Sequence, residues 1–159
     1  MNKAYLLLGS NMGNSKQQLL TAIKQIETQI GKLINQSALY ATAAWGNTDQ
    51  PDFLNQVLVI ETSLEASQIM QEILGIEKKM GRVRTVKNAA RIIDIDILFF
   101  NDEIINEPHL VIPHPEIQKR RFVLVPLNEL SPELKHPALN KTIHQLLLEC
   151  PDQLDVKKF

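Results

Sequence analysis

Two aspartates, Asp94 and Asp96, stand in the otherwise aliphatic run RIIDIDILFF at positions 91–100. The run reads as a β-strand, on which residues two apart share a face roughly 6.5–7 Å from one another. Ile93, Ile95 and Ile97 take the opposite face. Two like charges held side by side at low dielectric repel, and a cation between them relieves the cost. Magnesium suits such a pair, because one or two carboxylates hold it while phosphates and waters complete its octahedron. The plainer alternative is an edge strand whose carboxylates face water. A strand that follows a helical crossover is expected to be central instead, where solvated faces are few.

The approach to this strand is basic. In GRVRTVKNAAR the chain places Arg82, Arg84, Lys87 and Arg91 just ahead of the aspartates. Such a loop alone reads as a solvated patch. Joined to a carboxylate pair it reads as a polyphosphate clamp, since guanidinium forks match phosphate oxygens and a metal neutralises the remaining charge. His114 and Arg120, in IPHPEIQKRRF, supply further donors, although His114 by itself reads as structural. Glu77 has two readings, a ligand contact or an ion pair with a nearby arginine. Aromatic residues are only 5% of the chain, which makes Trp45, Phe53 and Phe122 candidates for a slot that holds a flat ring, beside their ordinary use in a core. With His109 the only histidine near His114, no histidine-based zinc site is expected. There is no Gly-x-x-x-x-Gly-Lys-Ser/Thr phosphate loop and no Gly-x-Gly-x-x-Gly fingerprint.

The elements that must carry these groups follow from periodicity. AYLLLG reads as a strand, GSNMGN as a turn with Asn14 or Ser15 as helix cap, and Leu19, Leu20, Ile23, Ile26 and Ile30 recur at helical spacing up to Gly31. Residues 33–43 alternate, WGNTDQPD is a loop, and FLNQVLVIET alternates again with Phe53, Asn55, Val57 and Val59 on one face. Ala66, Ile69, Met70, Ile73, Leu74, Ile76 and Met80 predict a second amphipathic helix, closed by Gly81, with Glu77 on or beside its apolar stripe. The order β-α-β-β-α-β predicts an α+β, ferredoxin-like fold. A C-terminal extension should hold a small hairpin around Ile104 to Ile112 and short helices near 119–129 and 141–149.

At 159 residues, 44% of them hydrophobic, the chain is read as a single domain over 1–159. Its apolar runs are too short to span a bilayer and it shows no signal-peptide layout, so a soluble cytoplasmic protein is expected. A lone cysteine, Cys150, forms no intrachain disulfide. A net charge of −1 with few aromatics argues against a nucleic-acid partner.

LLLGSNMGN, DQPDFLNQV, GRVR with ARIIDIDILFF, and IPHPEIQKRRFVLVPLNEL, in this order and spacing, resemble the 6-hydroxymethyl-7,8-dihydropterin pyrophosphokinase family of folate biosynthesis. The resemblance runs from about Tyr5 to Leu134. It implies transfer of the β,γ-pyrophosphate of ATP to the pterin hydroxymethyl group, with AMP released, two magnesium ions and a ferredoxin-like fold. By the same resemblance Asp94 and Asp96 are metal ligands, and Arg82 and Arg91 clamp phosphate. Glu77, Arg84, His114 and Arg120 match nucleotide contacts. Thr42 and Asn55 match polar contacts to the pterin, Phe53 and Phe122 the rings on either side of it, and Trp45 lies in the loop lining that pocket. The chain departs from the family at KNAAR, where members commonly carry Arg-Trp-Gly-Pro-Arg. The expected partners are the pterin and ATP, with no nucleic acid and no membrane, and the expected state is a monomer. The competing classes are an RNA-binding α+β module, since related sheets bind RNA through exposed aromatics, and a metal-dependent phosphohydrolase.

Overall fold

The computed structural model describes residues 1–43, 52–82 and 92–159. Strand β1 (Asn2–Ser10) leads through a turn into helix α1 (Ser15–Gln29), where the Asn14 side chain caps the first turn by accepting from the Gln17 N–H at 3.2 Å. Strands β2 (Lys32–Gln36), β3 (Tyr40–Thr42) and β4 (Phe53–Thr62) follow, then helix α2 (Ala66–Lys79) and strand β5 (Asp94–Phe100). A hairpin of β6 (Ile105–Glu107) and β7 (Leu110–Ile112), helices α3 (Arg121–Leu130) and α4 (Ile143–Glu149), and a short β8 (Lys157–Lys158) complete the chain. Among the described residues no helix is long and apolar enough to cross a membrane.

The main sheet runs β5-β1-β4-β3-β8, with β2 also paired to β4, and its pairings are antiparallel. Counting β2 and β3 as one interrupted strand, this is the predicted ferredoxin-like arrangement. The alternation read over 33–43 is broken, because the pairing on β4 shifts between Leu33 and Asn35 and again between β2 and β3, where Ser37 bridges the gap. Its N–H donates to the Val57 carbonyl at 2.9 Å and its Oγ accepts from the Val57 N–H at 3.0 Å.

The expectation of a central fourth strand is not met. The crossover from β4 passes over β1 and lays β5 at the sheet's edge. That edge is nonetheless covered: the Ile95 N–H donates to Glu77 Oε2 at 2.9 Å, and the Leu98 carbonyl accepts from the His114 N–H at 3.0 Å. An edge strand with its polar groups occupied is protected from pairing with other chains.

Both faces of the sheet are buried. Leu6, Leu8, Leu58, Ile60, Ile95 and Ile97 pack on Leu19, Ile23, Ile26, Ile69, Ile73 and Ile76 of α1 and α2. On the other face Tyr5, Leu7, Val57, Val59, Leu98 and Phe99 pack on α3 and α4 through Val123, Leu124, Leu127, Ile143 and Leu146. The C-terminal extension is therefore a second layer. A register shift between Tyr5 and Leu6 lets Leu98 and Phe99 face the same layer, with Phe99 edge-on to Tyr5 at 5.9 Å.

Candidate active site

The layer of α3 and α4 covers only part of its sheet face. Where the strands carry Tyr5, Val57, Val59 and Leu98 the face is apolar and sealed. At the other end the same face carries Gly9, Asn55, Asp94 and Asp96, which build no apolar core, and a cleft opens there. Strand β1 contributes Leu7 and Gly9, β3 Thr42 with Ala43 behind it, β4 Phe53 and Asn55, and β5 both aspartates. Arg120 and Phe122, at the start of α3, close the far side.

The cleft has an aromatic end and a charged end. At the first, Asn55 is 4% exposed and donates through Nδ2 to Thr42 Oγ1 at 3.3 Å, which orients its amide. Gly9 lies opposite Asn55 in the ladder, and a Cβ there would come within 2.7 Å of Asn55 Oδ1. Glycine thus gives the Asn55 amide room to lie across the cleft floor. The Phe122 ring has the Arg120 guanidinium 5.8 Å from its centroid. Gly9, Leu7 and Ala43 were not singled out as binding residues in the sequence. Only the register of β1 on β4 reveals Gly9, because its place in a turn-like GSNMGN masks it.

At the charged end, the last turn of α2 sets the geometry. The Gly81 N–H bonds to the Lys78 carbonyl and the Arg82 N–H to the Glu77 carbonyl, each at 3.0 Å, with Gly81 at φ +88°. This is a Schellman cap, which requires the left-handed conformation glycine adopts without strain. It turns the chain so that Arg82 folds back on Glu77. Arg82 Nη1 lies 3.0 Å from Glu77 Oε2 and 2.9 Å from Asp94 Oδ1, with Arg82 and Glu77 both deeply buried. The ion-pair reading of Glu77 therefore holds.

The two aspartates differ. Asp94 is ion-paired with Arg82, whereas burial, then the negative charges of Asp94 and Glu77, push the Asp96 carboxyl up to about 7 against the pull of Arg82 and Arg120. His114 lies outside the cleft lining, at the edge of β5. Its Nδ1 accepts from the Glu116 N–H at 3.1 Å, leaving the proton of the neutral ring on Nε2, and burial and Arg120 lower its pKa. Trp45, Arg84, Lys87 and Arg91 lie outside the described residues.

The raised carboxyl has a consequence for the metal-free protein. Folded Asp96 binds a proton that the unfolded chain releases above about pH 4, so its contribution to stability is present at low pH and is lost as pH rises toward 7. His114 and His136, both lowered, act in the opposite sense, their contributions being lost as pH falls below the ordinary histidine range. The expected result is therefore a difference: thermal midpoints of the parent protein minus those of Asp96→Asn should fall between pH 4.5 and pH 7.5, roughly the window between the ordinary and raised carboxyl values. A flat difference curve would show that Asp96 is an ordinary solvated carboxylate.

Fold and cleft together place the chain in the class of ferredoxin-like α+β proteins with a polar cleft at the open end of the sheet. The model of the family described as 7,8-dihydro-6-hydroxymethylpterin-pyrophosphokinase (HPPK) matches residues 5–132, and the chain belongs to that family. A 2-amino-4-hydroxy-6-hydroxymethyldihydropteridine pyrophosphokinase of Methylorubrum extorquens is 40% identical over 135 residues, which are 84% of this chain and 85% of that protein. The folic acid synthesis protein fol1 of Pneumocystis carinii is 40% identical over 139 residues, 87% of this chain but 19% of that protein, so the chain spans about a fifth of this longer relative. The crystal structure of Plasmodium falciparum HPPK-DHPS wild type with SDX-DHP matches with a TM-score of 0.76 at 25% identity, covering 94% of this chain and 43% of that one.

Proposed function

We propose that this chain transfers the β,γ-pyrophosphate of ATP to the hydroxymethyl group of 6-hydroxymethyl-7,8-dihydropterin, releasing AMP, as a step in folate biosynthesis. The observation that carries the reading is that one cleft is lined by Phe53, Phe122 and the buried Asn55 amide together with Asp94 and Asp96, the first of which is ion-paired with buried Arg82 behind it. The aromatic end suits a flat heterocycle, selected by stacking and a few placed hydrogen bonds. Asn55 and Thr42 offer the polar contacts, and Phe53 and Phe122 the ring contacts.

The charged end suits a polyphosphate with magnesium. Asp96 is a carboxylate whose negative charge is poorly compensated, and hard oxygen donors in a pair fit a divalent cation of this kind. Asp94 and Asp96 would hold magnesium, for which we propose two ions. Magnesium supplies charge neutralisation between carboxylates and phosphates. Arg82 presents a fixed guanidinium at this end, Arg120 adds its charge from beside Phe122, and Arg91 and Arg84 extend that charge in our reading. Attack of the hydroxymethyl oxygen on the β-phosphorus then depends on holding both substrates in line and on stabilising charge as the bond to AMP breaks. His114 and Glu77 belong to the surround of this end. We further propose a cytoplasmic monomer of one domain, acting on small molecules and not on nucleic acid.

The reaction is tested by incubating the protein with ATP, magnesium and hydroxymethyl-dihydropterin and identifying the nucleotide formed. Pterin-dependent AMP supports the reading. Pterin-independent phosphate release would instead indicate a phosphohydrolase. The ring slot has its own test: in Phe122→Ala, pterin affinity should fall about tenfold, since aromatic stacking contributes ~0.5–1.5 kcal/mol beyond the area buried. ATP affinity, measured by calorimetry on the same sample, should move less than about twofold by the same reasoning. Unchanged pterin affinity in a folded variant would remove Phe122 from the slot.

A further inference from the structure

Glu77 joins the two halves of the charged end without lining the cleft. Its carboxylate is on the α2 side of the sheet, 2% exposed, while the cleft opens on the other face. Glu77 Oε2 accepts from two donors, Arg82 Nη1 at 3.0 Å and the Ile95 N–H at 2.9 Å. Ile95 is the residue between Asp94 and Asp96, and it lies on the edge strand, whose outer N–H groups have no neighbouring strand among the described residues to bond. The carboxylate thus takes the place of a missing strand at the point where the two aspartates project. The same Arg82 nitrogen lies 2.9 Å from Asp94 Oδ1, so a continuous chain runs from the Ile95 backbone through Glu77 and Arg82 to Asp94. Arg82 Nε is buried and has no hydrogen-bond partner among the described residues, a donor left over after Glu77 and Asp94 have fixed the group's orientation.

We infer that Glu77 is a positioning residue, which fixes the register of the edge strand and the aim of the Arg82 guanidinium, and that it makes no contact with the nucleotide. This deepens the pyrophosphokinase reading and rests on it for the kinetic part of its test. The physical reason is geometric. A strand edge held by one neighbour can fray or slip, and a one-residue slip would turn both aspartates to the helix face. An arginine held by a buried carboxylate on one side and a half-buried one on the other loses its rotamer freedom before substrate arrives, so the alignment is made in advance.

Three variants separate the possibilities. Glu77→Gln keeps the shape and an acceptor for the Ile95 N–H but removes the charge that aims Arg82. Glu77→Ala removes both. Arg82→Ala supplies the background for a double-variant cycle. In the metal-free, substrate-free protein, hydrogen exchange at the Ile95 amide should stay slow in Glu77→Gln and accelerate at least about tenfold in Glu77→Ala, relative to amides of β4, because local opening reports the lost bond. In turnover, Glu77→Gln should lower kcat about tenfold while the Kd for ATP changes less than about twofold, a coupling of the size expected for residues in one network. In the Arg82→Ala background the same change should cost less than about twofold more.

A higher Kd for ATP with kcat unchanged would make Glu77 a nucleotide contact and overturn the inference. Lower thermal stability with turnover per folded molecule unchanged would overturn it in favour of a purely structural role. Should Glu77→Ala fail to fold, exchange and kinetics of the conservative Gln variant decide alone. Failure of the pyrophosphokinase reading is recognised separately, by absence of AMP from the parent protein, and leaves the exchange measurements intact.

Discussion

Asp96→Ala is expected to lower magnesium-dependent turnover about a thousandfold or more. Bound metal contributes several kcal/mol of charge stabilisation in reactions of this class, and each ~1.4 kcal/mol is a factor of ten. Asp94→Ala should be comparably damaging. The double variant should be little worse than the more damaged single one, because residues that act as a unit are not additive. Stability of the metal-free protein should separate the two residues. Asp96 faces net repulsion, so Asp96→Asn should leave the thermal midpoint unchanged or raise it. Asp94 is ion-paired with Arg82 at 2.9 Å, so Asp94→Asn loses a partner and should not stabilise. Magnesium-dependent turnover and metal-free thermal denaturation of the two single variants and the double provide the check. Near-parental turnover in either single variant would remove that residue from the metal site.

Arg82→Ala is the second large effect. Its guanidinium is buried and held by Glu77 and Asp94, and a fixed, desolvated donor stabilises developing charge far more than it would in solvent. Removal of one such donor typically lowers turnover by about 10²–10³. The same change leaves two carboxylates without their shared cation, and breaking a buried pair costs about 3–5 kcal/mol. Turnover must therefore be expressed per folded molecule, by active-site titration or by working well below the variant's melting temperature. Binding of ATP and pterin should weaken less than about tenfold, because the group acts mainly where charge redistributes. Arg82→Lys keeps the charge but loses the fork, and should fall between the parent and alanine. If the whole loss appears as weaker ATP binding with saturated turnover intact, Arg82 is a ground-state anchor.

Residue periodicity carried the two layers of secondary structure a long way. The helical stripes of α1 and α2, the Asn14 cap, the glycine at the end of α2 and the shared face of Phe53, Asn55, Val57 and Val59 are local properties and appear where spacing placed them, except that Leu20 and Leu74, counted in the stripes, lie at their margins and are exposed. The paired orientation of Asp94 and Asp96 is local too, since a two-residue period needs no knowledge of the neighbouring strands. Strand order is different. Nothing within RIIDIDILFF distinguishes an edge from a centre once Glu77 and His114 occupy the outer groups, because a buried edge is as aliphatic as a buried centre. Glu77 remained divided between two readings for the same reason, its decisive partner being a backbone N–H 18 positions away. The pairing of β8 with β3 had no sequence signal, for Lys157 and Lys158 are exposed and charged and contribute only backbone to the ladder. Gly9 became legible only once its cross-strand partner was known.

The central claim is that a diphosphoryl group moves as a unit, and ATP labelled at the β-phosphorus tests it directly. After one turnover with magnesium and hydroxymethyl-dihydropterin, the account predicts that the β-label is in the pterin product and that the nucleotide formed is unlabelled AMP. Label retained in ADP, with only the γ-phosphate on the pterin, would contradict it.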